Sequence, residues 1–309
     1  ADSSNSMSDI NDLGGGMNVT YVGKLGDGTK VVYKPNSGES SDRMYRFAKS
    51  GTQSNRELAA YIVSEALGIG MVPRTAKILQ GAMGEGSIQE WINSDAEPAV
   101  SLINLWNADK TSVDKLAGSV DHEDLRNMLL YDILIGNADR HAHNWLIKDK
   151  RIVCIDNGLS FATNKDYYSV EYNKGFRSPQ LRNAEIEQVK NLYKSRREVS
   201  GTEQDFSLVD KKMMSHVDRL FDSEEKFFLT EQLKKLISKE ELDSFWNRAR
   251  AIVRLHKRGK RLPIDSSDYS AFASDADKDP HLPSKFRGGD RTPSKHNRPI
   301  DTEITHEGS

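Results

Sequence analysis

Two short runs rich in Val, Thr and Tyr, NVTYVGKL and TKVVYK, flank Gly26-Asp27-Gly28, the pattern of two strands joined by a tight hairpin turn. SNRELAAYIVSEALGIG then places Leu58, Ala59, Ile62, Ala66 and Leu67 at helical spacing, with Ser54 positioned to cap the helix and Gly68 to end it. MVPRTAKIL and GSIQEWI read as two further strands. Beyond Asp95 the period becomes helical in VSLINLW and HEDLRNMLLYDILIG. NWLIKD and RIVCIDNG interrupt it as a short hairpin. Helical spacing resumes in AEIEQVKNLY, LVDKKMMSHVDRLF, EKFFLTEQLKKLI and KEELDSFWNRARAIVRLHKR, the last opening with Ser238 and Glu241 in capping-box spacing.

These patterns predict an α+β chain in two lobes, with a small antiparallel sheet and one helix over 17–93 and a mainly helical lobe over 94–262. Residues 1–16 are Ser, Asp and Gly rich and read as a flexible leader. Five of the nine prolines fall within 263–309 among Ser, Asp, Lys and Gly, so that tail reads as disordered until something binds it. No internal repeat is visible.

Composition narrows the function classes. Lys and Arg total 44 against 46 acids, a net charge of −2, which disfavours a surface built to grip nucleic acid. The single cysteine, Cys154, excludes an internal disulfide framework and suits a reducing compartment. No run of about 18 apolar residues suggests a membrane span, and the first residues lack a signal-peptide pattern. A cytoplasmic protein is expected.

Candidate chemistry concentrates in GNADRHAHNWLI, residues 136–147, and VCIDNGLSF, residues 153–161. Phosphoryl transfer from a nucleotide needs a group that orients and deprotonates the nucleophile, oxygen ligands for Mg²⁺, and a cation on the phosphates. Asp139 and Asn144 stand five apart, the interval between the catalytic acid and the metal-binding amide of kinase catalytic loops. Asp156 ends an apolar strand and is followed by Asn157 and Gly158, a suitable place for a carboxylate that holds a hard cation.

This pair of segments resembles the phosphatidylinositol 3/4-kinase-related branch of the protein-kinase-like fold, and most of all the type II phosphatidylinositol 4-kinases, with similar bacterial and viral proteins. A weaker likeness extends to VVYKP and RELAAYIVSEALGIGMVP. The resemblance implies a bilobal kinase-like α+β fold with ATP and Mg²⁺ as cofactors. It makes Asp139 the catalytic-loop acid and Asn144 and Asp156 the metal ligands. His141, directly after Asp-Arg, would assist proton transfer or touch the γ-phosphate, and Arg140 would hold the loop by a charge-assisted hydrogen bond. Lys34 would contact the α- and β-phosphates, paired with Glu57 or, two turns later, Glu65. Ser54 and Glu57 also fit a capping box, which leaves both readings of Glu57 open. Gln89, Glu90, Trp91 and Ile92 would form the connector against which adenine rests, although Trp91 also suits plain core.

The phosphate-covering loop has two candidates, Gly14-Gly15-Gly16 and the set Gly23, Gly26 and Gly28; the last two also suit the hairpin turn. The acceptor expected is a protein or small polar molecule. A phosphoinositide is the alternative, disfavoured because no cysteine-rich palmitoylation segment is present. AMP transfer and a nucleotide-binding pseudokinase acting as an assembly module remain alternatives. The basic cluster HKRGKR at 256–261 closes the last helix, where cations oppose the dipole. For a viral member the compartment would be host cytoplasm or virion.

Overall fold

The sheet begins earlier than the apolar pattern indicates. In the computed structural model, which describes residues 7–14, 18–39, 48–93, 97–98, 120–140, 142–164, 207–263, 272 and 303–304, Ser8–Asp12 forms strand β1. It pairs antiparallel with β2, Tyr21–Lys24. The leader expected over 1–16 is therefore corrected over these five residues. Their side chains are mostly exposed, so they carry no apolar alternation for a sequence reading to detect.

From β2 the chain turns through Gly26 and Asp27 into β3, Lys30–Pro35, as the hairpin pattern predicts. Val31, Tyr33 and Pro35 alternate inward along β3, which sends Lys34 to the opposite face. Strands β4, Thr75–Gly81, and β5, Gly84–Glu90, complete the antiparallel part of a six-stranded sheet ordered β1-β2-β3-β5-β4-β9. The sixth strand, β9, is Glu303–Ile304, which runs parallel to Lys77 and Ile78 of β4. That pair of residues, expected within a disordered tail, is thus part of the sheet.

Between β3 and β4 lies α1, Gln53–Leu67, ended by Gly68 at φ 68°. The predicted start is corrected by one turn chemistry. Thr52 occupies the N-cap without a side-chain bond, and Ser54 lies inside the helix with its hydroxyl on Asn36 Oδ1. Glu39 supplies the cap instead, its carboxylate accepting from the backbone N–H groups of Gly51, Thr52, Gln53 and Ser54. Burial raises the Glu39 pKa against the lowering effect of those four donors.

The helical lobe contains α2, His122–Ile135; α3, Lys211–Arg219; α4, Ser223–Leu233; and α5, Lys239–Lys257. Asp121 caps α2 by accepting from Glu123 and Asp124 N–H, and the Ser238–Glu241 capping box opens α5 as predicted. A three-stranded sheet of β6 (Glu97–Pro98), β7 (Trp145–Lys148) and β8 (Arg151–Cys154) follows α2 in space. The β7–β8 turn has Asp149 at φ 52° and Lys150 at φ 66°, the two positive angles that match the twist of a two-residue hairpin. The main apolar cluster joins α1 residues such as Leu58 and Ile62 to Leu130, Ile133, Phe245 and Ile252 of the helical lobe. Through it α1 belongs to both lobes, and Tyr131 donates its hydroxyl to Ala60 C=O at 2.8 Å. The predicted segments VSLINLW and AEIEQVKNLY lie outside the described residues.

Candidate active site

Lys34 reaches from β3 into the gap between the lobes. Its Nζ lies 2.5 Å from Glu57 Oε1 and 2.9 Å from Asp156 Oδ1. Burial alone would lower the ammonium pKa, yet the Asp156 and Glu57 carboxylates reverse that effect and hold it well above the ordinary lysine value. Glu57 spends its second oxygen on the main-chain N–H of Asn157, at 2.9 Å. The capping-box alternative for Glu57 is excluded by this geometry, and Glu65 lies exposed elsewhere on the helix.

Asp156 lies two residues past the end of β8 and adopts φ 54°, a left-handed conformation that a non-glycine residue holds when its surroundings impose it. Those surroundings are set by Arg140. Its guanidinium donates to the carbonyl oxygens of Asn144 and Ile155, to Asn157 Oδ1 at 2.7 Å, and to the Asp132 carboxylate on α2 at 3.0–3.2 Å. The residues on both sides of Asp156 are thereby tied to the loop that carries Asp139 and Asn144. Ile155 N–H also donates to Asn144 C=O at 3.1 Å. Arg140 is 7% exposed, so its donors serve this internal scaffold and not a substrate.

Asn144 ends a short 3₁₀ turn, Ala142–Asn144, and donates Nδ2 to Asp139 C=O at 2.8 Å and toward Asp139 Oδ2 at 3.5 Å. Its own Oδ1 is left without a hydrogen bond among the described residues. Asp139 N–H is held by Asn137 Oδ1 at 2.8 Å, and Asn137 Nδ2 leans on Asp132 at 3.3 Å. The three residues expected to converge, Asp139, Asn144 and Asp156, are brought to one loop-and-strand junction. His141 lies outside the described residues, and His143 is exposed.

At the connector, Gln89 donates its amide to Thr75 Oγ1 at 2.9 Å and is 8% exposed, so its side chain holds two strands together. Glu90 N–H goes to Arg74 C=O and Trp91 N–H to Lys30 C=O. The Trp91 ring is half-buried under Lys30 Nζ, 3.9 Å from its centroid. Ile92 alone of these four keeps a backbone N–H with no partner among the described residues.

No group of three or more His, Cys, Asp or Glu side chains stands together as a metal cage among the described residues. One carboxylate and one amide oxygen are what Mg²⁺ takes from proteins that bind it through nucleotide phosphates, so the residues present fit that ion.

A sequence model of the phosphatidylinositol 3- and 4-kinase family matches residues 51–243. The chain belongs to that family. The match opens at Gly51, so β1–β3 and Lys34 lie outside it, and the place of Lys34 rests on its contacts. Protein Rv2133c of Mycobacterium tuberculosis is 36% identical over 150 residues, which cover 41% of this chain and 52% of that protein. The chain thus matches about half the length of this relative. Two solved structures are similar in outline, each with a TM-score of 0.41 and 12% identity. They are the Helicobacter pylori proinflammatory kinase CtkA, covering 89% of this chain and 97% of its own, and the Golgi casein kinase, covering 82% and 73%.

Because β1 occupies Ser8–Asp12, the β1–β2 connection is residues 13–20, which contains Gly14 and the undescribed Gly15 and Gly16. Gly26 and Gly28 belong to the β2–β3 turn, and Gly23 lies within β2. Two residues that hold the loop escaped the sequence reading. Asp132 carried the better signal, a lone acid inside the apolar run MLLYDILIG. Asn137 sat unassigned within the motif.

Proposed function

We propose that the chain is an ATP-dependent phosphotransferase that moves the γ-phosphoryl group of Mg-ATP to a protein or small polar acceptor. The nucleotide-binding lobe would span 17–93 and the catalytic lobe 94–262. The observation that carries this reading is the simultaneous pairing of Lys34 with Glu57 and Asp156 beside the Asp139–Asn144 loop. Family membership supports it independently.

In this reading Lys34 neutralises the α- and β-phosphates, oriented by Glu57. Ile92 N–H reads the adenine edge beside Trp91. Asp139, half-buried and held at its backbone by Asn137, accepts the proton of the incoming hydroxyl. Asn144 Oδ1 and the Asp156 carboxylate would hold Mg²⁺. Bound there, the ion neutralises charge on the transferring phosphoryl group. Asp156 leaves its contact with Lys34 when it takes that role, because a carboxylate oxygen on the ammonium occupies the place of a phosphate oxygen.

The family match favours one further reading, in which the acceptor is the inositol headgroup of a phosphoinositide. No helix among the described residues is long and apolar enough to cross a membrane. Labelled ATP offered with protein, small-molecule and phosphoinositide acceptors separates the two, since the second labels lipid.

The primary test is a thermal melt with and without Mg-ATP, followed by intact mass. A rise in Tm and a gain of one phosphate on protein acceptor or on the chain itself are expected. No shift removes the nucleotide premise. A gain of AMP, or binding without turnover, replaces phosphoryl transfer with adenylyl transfer or a nucleotide-binding assembly module.

A further inference from the structure

Three α1 residues on one face grip the turn that follows Asp156. Glu57 accepts from Asn157 N–H, Arg56 donates to Ser160 C=O, and Gln53 packs on Gly158. Spacings of three and four place residues 53, 56 and 57 on the same side of a helix. The fit at Gly158 is close. A Cβ there would lie 3.1 Å from both Cβ and Oε1 of Gln53, so a larger residue would press on the helix.

Gln53 also reaches the other side of the gap. Its Oε1 accepts from Asn18 Nδ2 at 2.6 Å, and Asn18 lies in the β1–β2 connection. That connection is closed at its base by Leu13 N–H on Thr20 C=O, at 2.8 Å, and anchored by Val19 N–H on Gly38 C=O, at 2.9 Å. Gln53 is 6% exposed, its N–H is fixed by Glu39, and its Nε2 has no partner among the described residues.

We infer that Gln53 is a positioning residue that couples the glycine-containing β1–β2 loop to the Asp156 turn, so that the grip on the nucleotide phosphates from above and the metal carboxylate below move together. This rests on the phosphotransferase reading for its purpose, but the coupling itself is a property of the nucleotide-free protein.

The experiment compares Gln53→Ala, Asn18→Ala and the double variant by hydrogen exchange without nucleotide and by kcat and KM with Mg-ATP. The amides of Leu13 and Val19 should exchange about tenfold faster in each single variant, the effect of one lost hydrogen bond. The double should add little, while α1 amides keep their protection. With nucleotide, kcat/KM should fall about tenfold in each single variant, again without adding in the double. Unchanged loop exchange, additive losses, or loosening of α1 alongside the loop would overturn the coupling. A wild-type protein that neither binds nor uses Mg-ATP would sink the phosphotransferase reading instead, and the exchange comparison would still decide this one.

Discussion

Asp132 of α2 and Arg140 of the following loop form a buried pair, with Nη2 and Oδ1 3.0 Å apart, and their side chains are only 11% and 5% exposed. Burial raises the Asp132 pKa and the Arg140 guanidinium opposes it. For Arg140, burial acts downward and Asp132 more than offsets it. The pair fixes the backbone of Asp139, Asn144 and Asp156 without touching the gap where substrate would lie.

Asp132→Ala should therefore damage the scaffold before the chemistry. Removing one partner leaves a buried guanidinium uncompensated, a loss of about 3–5 kcal/mol. Urea unfolding of wild type and variant measures it; a difference below about 1 kcal/mol would show that Arg140 finds other support.

Lys34→Met and Glu57→Gln separate the cation from its orienting carboxylate. The first should lower kcat/KM for Mg-ATP by about 100-fold or more, the scale of losing one preorganised electrostatic group. The second should lower it less, because the ammonium remains and loses only the carboxylate that orients it. Equal losses would mean that Glu57 acts only through the Asn157 turn.

Asp156→Asn should abolish Mg-ATP-dependent turnover with little change in Tm, because the wild-type side chain is 51% exposed. Chelating divalent cations should have the same effect on wild type. Turnover that survives either treatment removes Asp156 from the metal role.

Cys154 tests the packing behind β8. It is fully buried, and burial pushes its thiol up to about 12, with Arg140 pulling the other way. At neutral pH the thiolate fraction is negligible, so a thiol reagent should label it only under unfolding conditions. Stoichiometric labelling of the native protein would contradict this environment.

Asp210 predicts a pH response. It is the N-cap of α3: burial would raise its pKa, but Met213 N–H and Arg126 hold it below the ordinary aspartate value. Its stabilisation is present above the unfolded value and fades as pH falls through the lower folded value. Asp210→Ala should thus lose about 1 kcal/mol at pH 7, the usual cost of an N-cap. The gap to wild type should close in strong acid; a gap that persists there would assign the loss to packing.

Local signals made much of the lower site legible. The Asp139–Asn144 interval, the strand ending in Asp156 and the turn glycines are features of contiguous residues, and the β7–β8 hairpin and the capping box of α5 follow from the same kind of short-range chemistry. Lys34 and Glu57 were legible as candidates, but their pairing was not, because Ser54 offered Glu57 an equally local partner. Only the approach of Glu39 to the start of α1 took the cap away from Ser54 and released Glu57 to the gap.

Nearest-neighbour patterns along this chain determined which segments coil, which extend, and where carboxylates, amides and a lysine stand near turns. Tertiary packing decided the rest: an exposed strand at Ser8–Asp12 that puts Gly14 in the connection between β1 and β2, an acid inside α2 that holds Arg140, and a glutamine that spans from Asn18 to Gly158. The physical reason is that a hydrogen bond or ion pair between residues that share no helix or strand repeat leaves no periodic trace in the chain. It exists only once burial has removed water as the competing partner.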